Sequence, residues 1–211
     1  METVLLAKQA IYDSQLNIYG YELLFRPPQP DAIDASTLAE MNHLPPSISG
    51  DHATAQVILG SFTDIGIDQI VGPGKAFINF THALLVQAVA NSLPKDKIVV
   101  EILETVIMDA QLFTAVTQLS QLGYQIALDD FIYHPDFDPF IALANIIKID
   151  VLGQSEADIC QQLKALKNYN GMLLAEKIEN NRQFQLCQQL GFHYFQGYYL
   201  SRPDLIKINL S

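Results

Sequence analysis

The stretch Ile126-Ala127-Leu128-Asp129-Asp130-Phe131 is a short apolar run, long enough for a buried strand, that ends in two adjacent carboxylates. Two neighbouring acids after a core strand are costly unless a cation or solvent compensates their charge. Taken alone, the pair is as typical of an acidic loop or a helix N-cap as of a functional site. The same order, an apolar run followed by a polar residue, recurs along the chain, and this repetition favours a site.

The composition of the 211-residue chain is that of a globular protein, with 49% hydrophobic and 17% charged residues. This length suffices for one sizeable core, so we expect residues 1–211 to form a single domain. A net charge of −11 argues against duplex nucleic acid or an anionic membrane as a partner, although a small phosphorylated ligand remains compatible with it. Neither a signal peptide nor an apolar run of about 20 residues is recognisable, which favours a cytoplasmic protein.

The first 26 residues contain two strand-like runs, at 4–12 and 18–26, whose short connection predicts an antiparallel pair. Residues 27–52 contain five prolines and lack periodicity, which is typical of an irregular, functional or mobile segment. Beyond that segment, predicted strands alternate with predicted helices. The strands are at 75–80, 98–104, 126–130, 146–150, 172–177 and 194–199, and the helices are at 53–62, 84–92, 110–122, 140–144, 156–168 and 181–190.

Eight strands separated mostly by single helices predict an α/β fold with a parallel sheet. Eight of them in about 200 residues favour a closed, TIM-like (β/α)8 barrel with an antiparallel first strand. The alternative is an open, doubly wound sheet. That fold would place a glycine-rich phosphate loop after its first strand, and the sequence has none there.

Polar residues lie at or near the carboxyl ends of seven predicted strands, where barrel enzymes carry their chemistry. These residues are Glu22, Asn79, Glu101, Asp129 with Asp130, Lys148, Glu176 and Gln196. Several carboxylates in one pocket need divalent cations, and hard oxygen ligands suit magnesium, manganese or calcium. Two such ions could clamp a phosphodiester and generate hydroxide. Lys148 could then hold the attacking water or a phosphate oxygen, or it could neutralise a neighbouring acid. Arg26 could form a bidentate contact with phosphate or stack on a base.

The motifs at these positions resemble, in order, those of the EAL domain, a bacterial cyclic di-GMP phosphodiesterase family. They run from Leu5 to Pro203 and read YGYELLFR, FINF, VEILE, IALDDF, IIKID, LLAEKIE and FQGYYLSRP. The resemblance implies a barrel with a reversed first strand and a site that uses Mg²⁺ or Mn²⁺, with two metal ions in an active enzyme.

The resemblance also implies a role for each site residue. One metal ion would be held by Glu22, Asn79, Glu101 and Asp129, and Asp130 would help to hold the second. The water would be activated by Glu176 and Lys148, with Gln196 beside them, and Arg26 would bind the substrate. Glu104 would brace the loop after the two aspartates, and Glu179 would support the site.

Two departures from the family pattern leave two functions open. Residues 132–139 replace a glycine-rich loop that shapes the second metal site and the dimer contact, and Lys177 stands where a glycine is usual. With these departures the chain is most similar to the EAL half of EAL-HDOD signalling proteins. In those proteins the barrel is often a degenerate sensor or scaffold, and an HD-related output domain follows it.

The first function is metal-dependent hydrolysis of cyclic di-GMP to pGpG. The second is a catalytically degenerate receptor for cyclic di-GMP or a protein-interaction scaffold. The expected partners are therefore cyclic di-GMP, a second copy of the chain in a homodimer, and a C-terminal HD-related domain. A more remote alternative is an enolase-like barrel with Lys148 as its base, which would need a capping domain.

Overall fold

The computed structural model of the protein describes residues 2–26, Thr54, Ala55, Ile58 and 66–210. The irregular segment predicted at 27–52 and most of the helix predicted at 53–62 lie outside the described residues. The side chains at 2–5, 25–26 and 207–210 also lie outside them.

The strands of the described part are numbered in chain order. They are β1 (Glu2–Asp13), β2 (Ile18–Arg26), β3 (Lys75–Phe80), β4 (Ile98–Ile102), β5 (Gln125–Leu128), β6 (Ile146–Asp150), β7 (Met172–Glu176), β8 (Tyr194–Phe195) and β9 (Asp204–Leu210).

The α-helices of the same part are α1 (Ile67–Val71), α2 (His82–Val86), α3 (Ala110–Leu122), α4 (Asp138–Ile141), α5 (Glu156–Ala165) and α6 (Asn181–Gln189), and short 3₁₀ helices cover Val89–Ser92 and Pro135–Phe137. None of these helices combines the length and the apolar character needed to cross a membrane.

Eight of the strands form a closed ring. Strands β2 to β8 follow one another in chain order as parallel neighbours. Strand β1 closes the ring because it pairs antiparallel with β2 on one side and with β8 on the other. The predicted TIM-like barrel with an antiparallel first strand is thereby confirmed.

A ninth strand lies outside the ring. β1 is 12 residues long, and only its last two residues pair with β8. Its first seven residues pair antiparallel with β9, from Glu2 opposite Leu210 to Lys8 opposite Asp204. The strands predicted from the sequence end at 199 and do not include β9, because Pro203 directly precedes β9 and a proline there is typical of a strand end.

Several other predicted elements differ from the observed ones, among them the following three. The helix predicted at 84–92 is divided, because Ala88 has a left-handed φ of 57° between α2 and the 3₁₀ helix. The short helix predicted at 140–144 begins earlier, at Asp138. The last barrel strand, predicted at 194–199, ends at Phe195, because the chain turns after Gln196, where the Leu200 and Ser201 N–H groups both donate to the Gly197 carbonyl oxygen.

Two apolar layers enclose the strands. A small cluster fills the inside of the barrel, and a larger one packs the outer faces of the strands against the helices. In β4, for example, Val99 belongs to the inner cluster, whereas Val100 belongs to the outer one. Successive side chains of a strand point to opposite faces, so this alternation fixes which residues can reach the interior.

Gly20 provides a test of how closely β2 and β3 pack. An added Cβ at Gly20 would lie 2.6 Å from the Lys75 carbonyl oxygen, which is a backbone atom and cannot turn aside. We expect Gly20→Ala to lower the free energy of unfolding by about 3 kcal/mol, as for an overpacked core. Denaturant unfolding monitored by circular dichroism measures the loss.

Gly153→Ala is the matched control for Gly20→Ala. Gly153 has a φ of 69°, and an added Cβ would have no atom within 4 Å. Its replacement by alanine therefore strains the backbone without crowding any neighbour. Its loss should be about 1 kcal/mol. Equal losses in the two variants would contradict the close packing of β2 on β3.

Candidate active site

The polar residues of the site lie one layer above the apolar interior of the barrel. On five consecutive strands, an interior apolar residue is followed two positions later by a polar one. The pairs are Phe77 and Asn79, Val99 and Glu101, Ala127 and Asp129, Ile146 and Lys148, and Leu174 and Glu176. Residues two apart share a face of a strand, so the barrel brings these side chains together at the carboxyl ends of its strands.

The Lys148 side chain lies at the centre of this group and is fully buried. Its Nζ is 2.6 Å from Glu101 Oε1, 2.6 Å from Asp129 Oδ1 and 2.9 Å from Glu176 Oε1. Glu22 Oε1 is 3.8 Å away. Lys148 therefore forms the ion pairs expected of a residue that neutralises neighbouring acids.

Charge in this group is not balanced. Four carboxylates face one ammonium, which leaves three formal negative charges if every group is ionised. Burial raises the pKa of Glu101 and of Glu176 well above the usual range, against the opposing attraction of Lys148. Burial also disfavours the charge on Lys148, but its carboxylate neighbours outweigh that effect and raise the pKa of Lys148 well above its ordinary value. The group therefore favours the uptake of a proton or of a further cation.

Two amide side chains orient Glu22. Gln196 Nε2 donates to Glu22 Oε2 at 2.7 Å, and Asn79 Nδ2 donates to Glu22 Oε1 at 3.4 Å. Since Glu22 is on β2 and Gln196 follows β8, the first contact joins strands on the two sides of β1. The Thr54 hydroxyl donates to the Asn79 carbonyl oxygen at 2.7 Å and so contacts the end of β3.

The donor atoms of the group fit a divalent cation. In this group, four buried side-chain oxygens have neither a hydrogen-bond partner nor an ion-pair partner, and they belong to Asn79 (Oδ1), Glu101 (Oε2), Glu176 (Oε2) and Gln196 (Oε1). Carboxylate and amide oxygens are the ligands that magnesium, manganese and calcium prefer. Within the described ranges, no three His, Cys, Asp or Glu side chains are arranged so that they could hold a metal ion. The carboxylates of this group are instead directed at Lys148. Binding of a cation would therefore require these side chains to move.

Asp130 does not join the central group. Its carboxylate is bound by Lys177, whose Nζ lies 3.1 Å from Oδ1 and 3.2 Å from Oδ2. The same Nζ lies 2.6 Å from Asp150 Oδ2. Burial opposes the charge on Lys177, but the hydrogen bonds with Asp150 and Asp130 outweigh it and raise the pKa of Lys177 above its ordinary value.

A cavity of about 330 Å³ opens above the group. Glu22, Asp129, Glu176 and Gln196 line it. The other residues that line it are Gln9, Leu24, Asp130, Leu152, Lys177, Glu179, Gly197 and Tyr198. The larger cavity, of about 840 Å³, lies at the opposite end of the barrel, where β5, β6, β7 and β8 begin. It contains none of the central carboxylates and lacks their chemistry.

The remaining predicted site residues lie at the edge of the mouth or outside the described part. Glu104 is exposed and lines a separate cavity of about 260 Å³ beside Asp129 and Asp130. Glu179 is exposed, and its backbone N–H donates to Gln183 Oε1 at 2.9 Å. The backbone of Arg26 ends β2, but its side chain lies outside the described residues.

Three residues of the mouth are not among the site residues that the sequence predicts. Gln9 is opposite Glu22 in the β1–β2 register, and its Nε2 donates to the Ser201 carbonyl at 3.3 Å. Asp150 and Lys177 form the ion pair described above. The pairing of strands 1 and 2 was predicted, so Gln9 could have been found from the register alone. The register does not predict the path of the Lys177 side chain.

Comparison with known proteins identifies related chains. The family model described as EAL domain matches residues 6–203. The cyclic di-GMP phosphodiesterase CdgJ of Vibrio cholerae is 35% identical, in an alignment that covers 98% of this chain and 46% of CdgJ. This chain therefore spans about half the length of that relative.

Solved structures show the same fold. The phosphodiesterase PaMucR, in complex with cyclic di-GMP, matches with a TM-score of 0.65 and 22% identity, over 96% of this chain and 97% of that chain. The Bacillus subtilis YkuI protein, solved with cyclic di-GMP and calcium, matches with a TM-score of 0.65 and 23% identity, over 95% of this chain and 56% of that chain.

Removal of the central ammonium should destabilise the protein. Lys148→Met leaves four carboxylates at the end of the barrel without their cation, and loss of one partner of a buried ion pair costs about 3–5 kcal/mol. We expect a loss of this size at pH 8 in chelator, measured by urea unfolding. Lys167→Met, at an exposed position, is the control and should change stability by less than about 0.5 kcal/mol. A loss no larger than that of the control would contradict the central role of Lys148.

The raised pKa of Glu101 gives the stability a defined dependence on pH. The folded protein keeps the Glu101 proton to higher pH than the unfolded chain does, so ionisation costs stability as pH rises above the ordinary value of 4.5. We expect Glu101→Gln to have the same free energy of unfolding as the wild type near pH 4 and a higher one at pH 8. The gain should be about 1.4 kcal/mol for each unit by which folding raises the pKa of Glu101. Urea unfolding in chelator across this range measures the difference. Glu156→Gln, at an exposed position, is the control variant. A stability difference between Glu101→Gln and the wild type that is constant with pH would exclude the assignment.

Proposed function

This chain belongs to the EAL domain family, and we propose that it hydrolyses cyclic di-GMP to linear pGpG with Mg²⁺ or Mn²⁺ as cofactor. The observation that carries the proposal is the buried group of four carboxylates around one ammonium, which opens onto a cavity of about 330 Å³. The relatives agree with this chemistry, because CdgJ is a cyclic di-GMP phosphodiesterase and YkuI was solved with cyclic di-GMP and calcium.

The side chains proposed to hold the cation are Glu22, Asn79, Glu101 and Asp129. Their oxygens are hard donors, and Glu101 Oε2 and Asn79 Oδ1 are buried without a hydrogen-bond partner. A bound divalent cation would act as a Lewis acid on the phosphodiester and would offset the charge that develops on it during reaction.

Glu176 is the proposed general base. One of its oxygens contacts Lys148 at 2.9 Å, and the other is buried without a partner. A raised pKa brings its carboxylate closer to the working pH of a base that must accept a proton from water. Lys148 holds the Glu176 carboxylate in place and contributes positive charge beside the phosphate.

The proposed reaction consumes one water molecule. The water oxygen forms a bond to phosphorus while Glu176 accepts its proton, and the bond from phosphorus to the ribose 3′ oxygen breaks. The leaving oxygen then takes up a proton, which gives linear pGpG and restores the carboxylate. Gln196 and Arg26 are proposed to orient the substrate, Glu104 to brace the loop after Asp130, and Glu179 to support the rim.

A second candidate function is a receptor or scaffold that binds cyclic di-GMP or a protein without hydrolysis. The contact of Lys177 with Asp130 favours it, because the carboxylate predicted to help hold a second metal ion is already occupied. The altered segment at 132–139 favours it too, since Ile132 is 74% exposed and a 3₁₀ helix covers Pro135–Phe137, where the family resemblance implies a glycine-rich loop. A homodimer and an HD-related output domain remain predictions.

Glu176→Gln separates hydrolysis from binding. We expect it to lower kcat for pGpG formation by at least 100-fold, because the base is lost, and to change the affinity for cyclic di-GMP by less than tenfold. Chromatography of pGpG in MgCl₂ or MnCl₂ measures the rate, and calorimetry measures binding.

The control for that experiment is Glu156→Gln, which alters an exposed acid at the start of α5. It should retain the wild-type rate. Binding by the wild type without any pGpG would favour the receptor, and a Glu176→Gln protein as active as the wild type would refute the assignment of the base.

A further inference from the structure

Lys177 and Asp130 share an uncommon backbone conformation. Lys177 directly follows Glu176 at the end of β7 and has a φ of 57°, and Asp130 follows Asp129 at the end of β5 and has a φ of 41°. Residues with a Cβ atom rarely adopt a positive φ. Where they do, the surrounding structure holds the backbone in that conformation, often at a functional site. Here the two strained turns are joined by their own side chains.

The Lys177 ammonium bridges the ends of three adjacent strands. It leaves the end of β7, contacts Asp150 at the end of β6, and contacts Asp130 beyond the end of β5. The remaining Asp150 oxygen, Oδ1, accepts the Leu152 N–H at 2.8 Å. All four oxygens of the two aspartates are therefore engaged.

This bridge lies on the same cavity as the central carboxylates. Asp130 and Lys177 line that cavity together with Asp129 and Glu176, to which they are respectively adjacent in sequence. A divalent cation bound to Asp130 would have to displace the ammonium or lie close to it, and like charges at such a distance repel strongly. Asp130 as it is held here does not fit a second metal ion.

We propose that the Lys177 ammonium takes the place of a second divalent cation, so that the mouth of this barrel binds one metal ion per chain. The inference rests on the proposed function for the first metal ion, at the central carboxylates. Lys177 is 46% exposed through its side chain, so its charge also faces the cavity that would receive a phosphodiester.

The test counts Mn²⁺ ions bound to the whole metal-free chain. Calorimetric titration with MnCl₂, checked by the electron paramagnetic resonance of unbound Mn²⁺, gives the stoichiometry without any turnover. We expect one ion per wild-type chain and two per Lys177→Gly chain. The affinity for the second ion should rise at least tenfold, because glycine removes the ammonium and accepts the positive φ without strain.

Two further variants distinguish charge from shape. Lys177→Arg keeps a cation in place and should bind one ion, and Lys177→Gln removes the charge with nearly the same bulk and should bind two. Lys167→Gln, on the exposed surface, is the control and should bind one. Two ions or none in the wild type, or one ion in both uncharged variants, would overturn the inference.

The role of Lys177 and the proposed function can be refuted independently of each other. One ion per wild-type chain without pGpG formation would reject hydrolysis and retain the role of Lys177. Formation of pGpG by a wild-type chain that binds two ions would reject the role of Lys177 and retain hydrolysis.

Discussion

The fully buried ammonium of Lys148, surrounded by carboxylates, is the interaction on which the mouth of the barrel depends. An isolated charge at this depth is too costly to keep, and so is each acid without the lysine. The curvature of the barrel brings Glu101, Asp129, Lys148 and Glu176 from the ends of four adjacent strands, β4 to β7, to one point. The fold and the ionised group therefore support each other, and the excess negative charge makes the group receptive to a cation.

The antiparallel first strand decides how the ring closes. β1 lies between β2 and β8, and the Gln196–Glu22 hydrogen bond at 2.7 Å crosses above it. The site is thus continuous around the barrel even where the strand direction reverses. Asn79 contacts the same Glu22 from β3, so this glutamate is oriented from both sides. Such orientation by neighbours is typical of groups that must hold a fixed position for binding or catalysis.

Much of the barrel and its central group follows from the sequence, because period-two alternation and strand-end polarity are local signals. Val99 and Glu101, two residues apart, identify both the interior and the site. The contact of Lys177 with Asp130 depends on side chains 47 residues apart and on two backbone angles, and no local pattern encodes it. β9 was missed for a related reason, since a strand after a proline gains its identity from the free edge of β1.

The pairing of β1 with β9 determines how the barrel would respond to tension. Glu2 and Leu210 are opposite each other in an antiparallel ladder, so the two ends of the described chain leave from one end of it. A force that pulls these ends apart acts across the ladder and breaks its hydrogen bonds one after another, from Leu210 towards Asp204. The outer strand peels away first, and the pairing of β1 with β2 holds β1 to the ring while it does so.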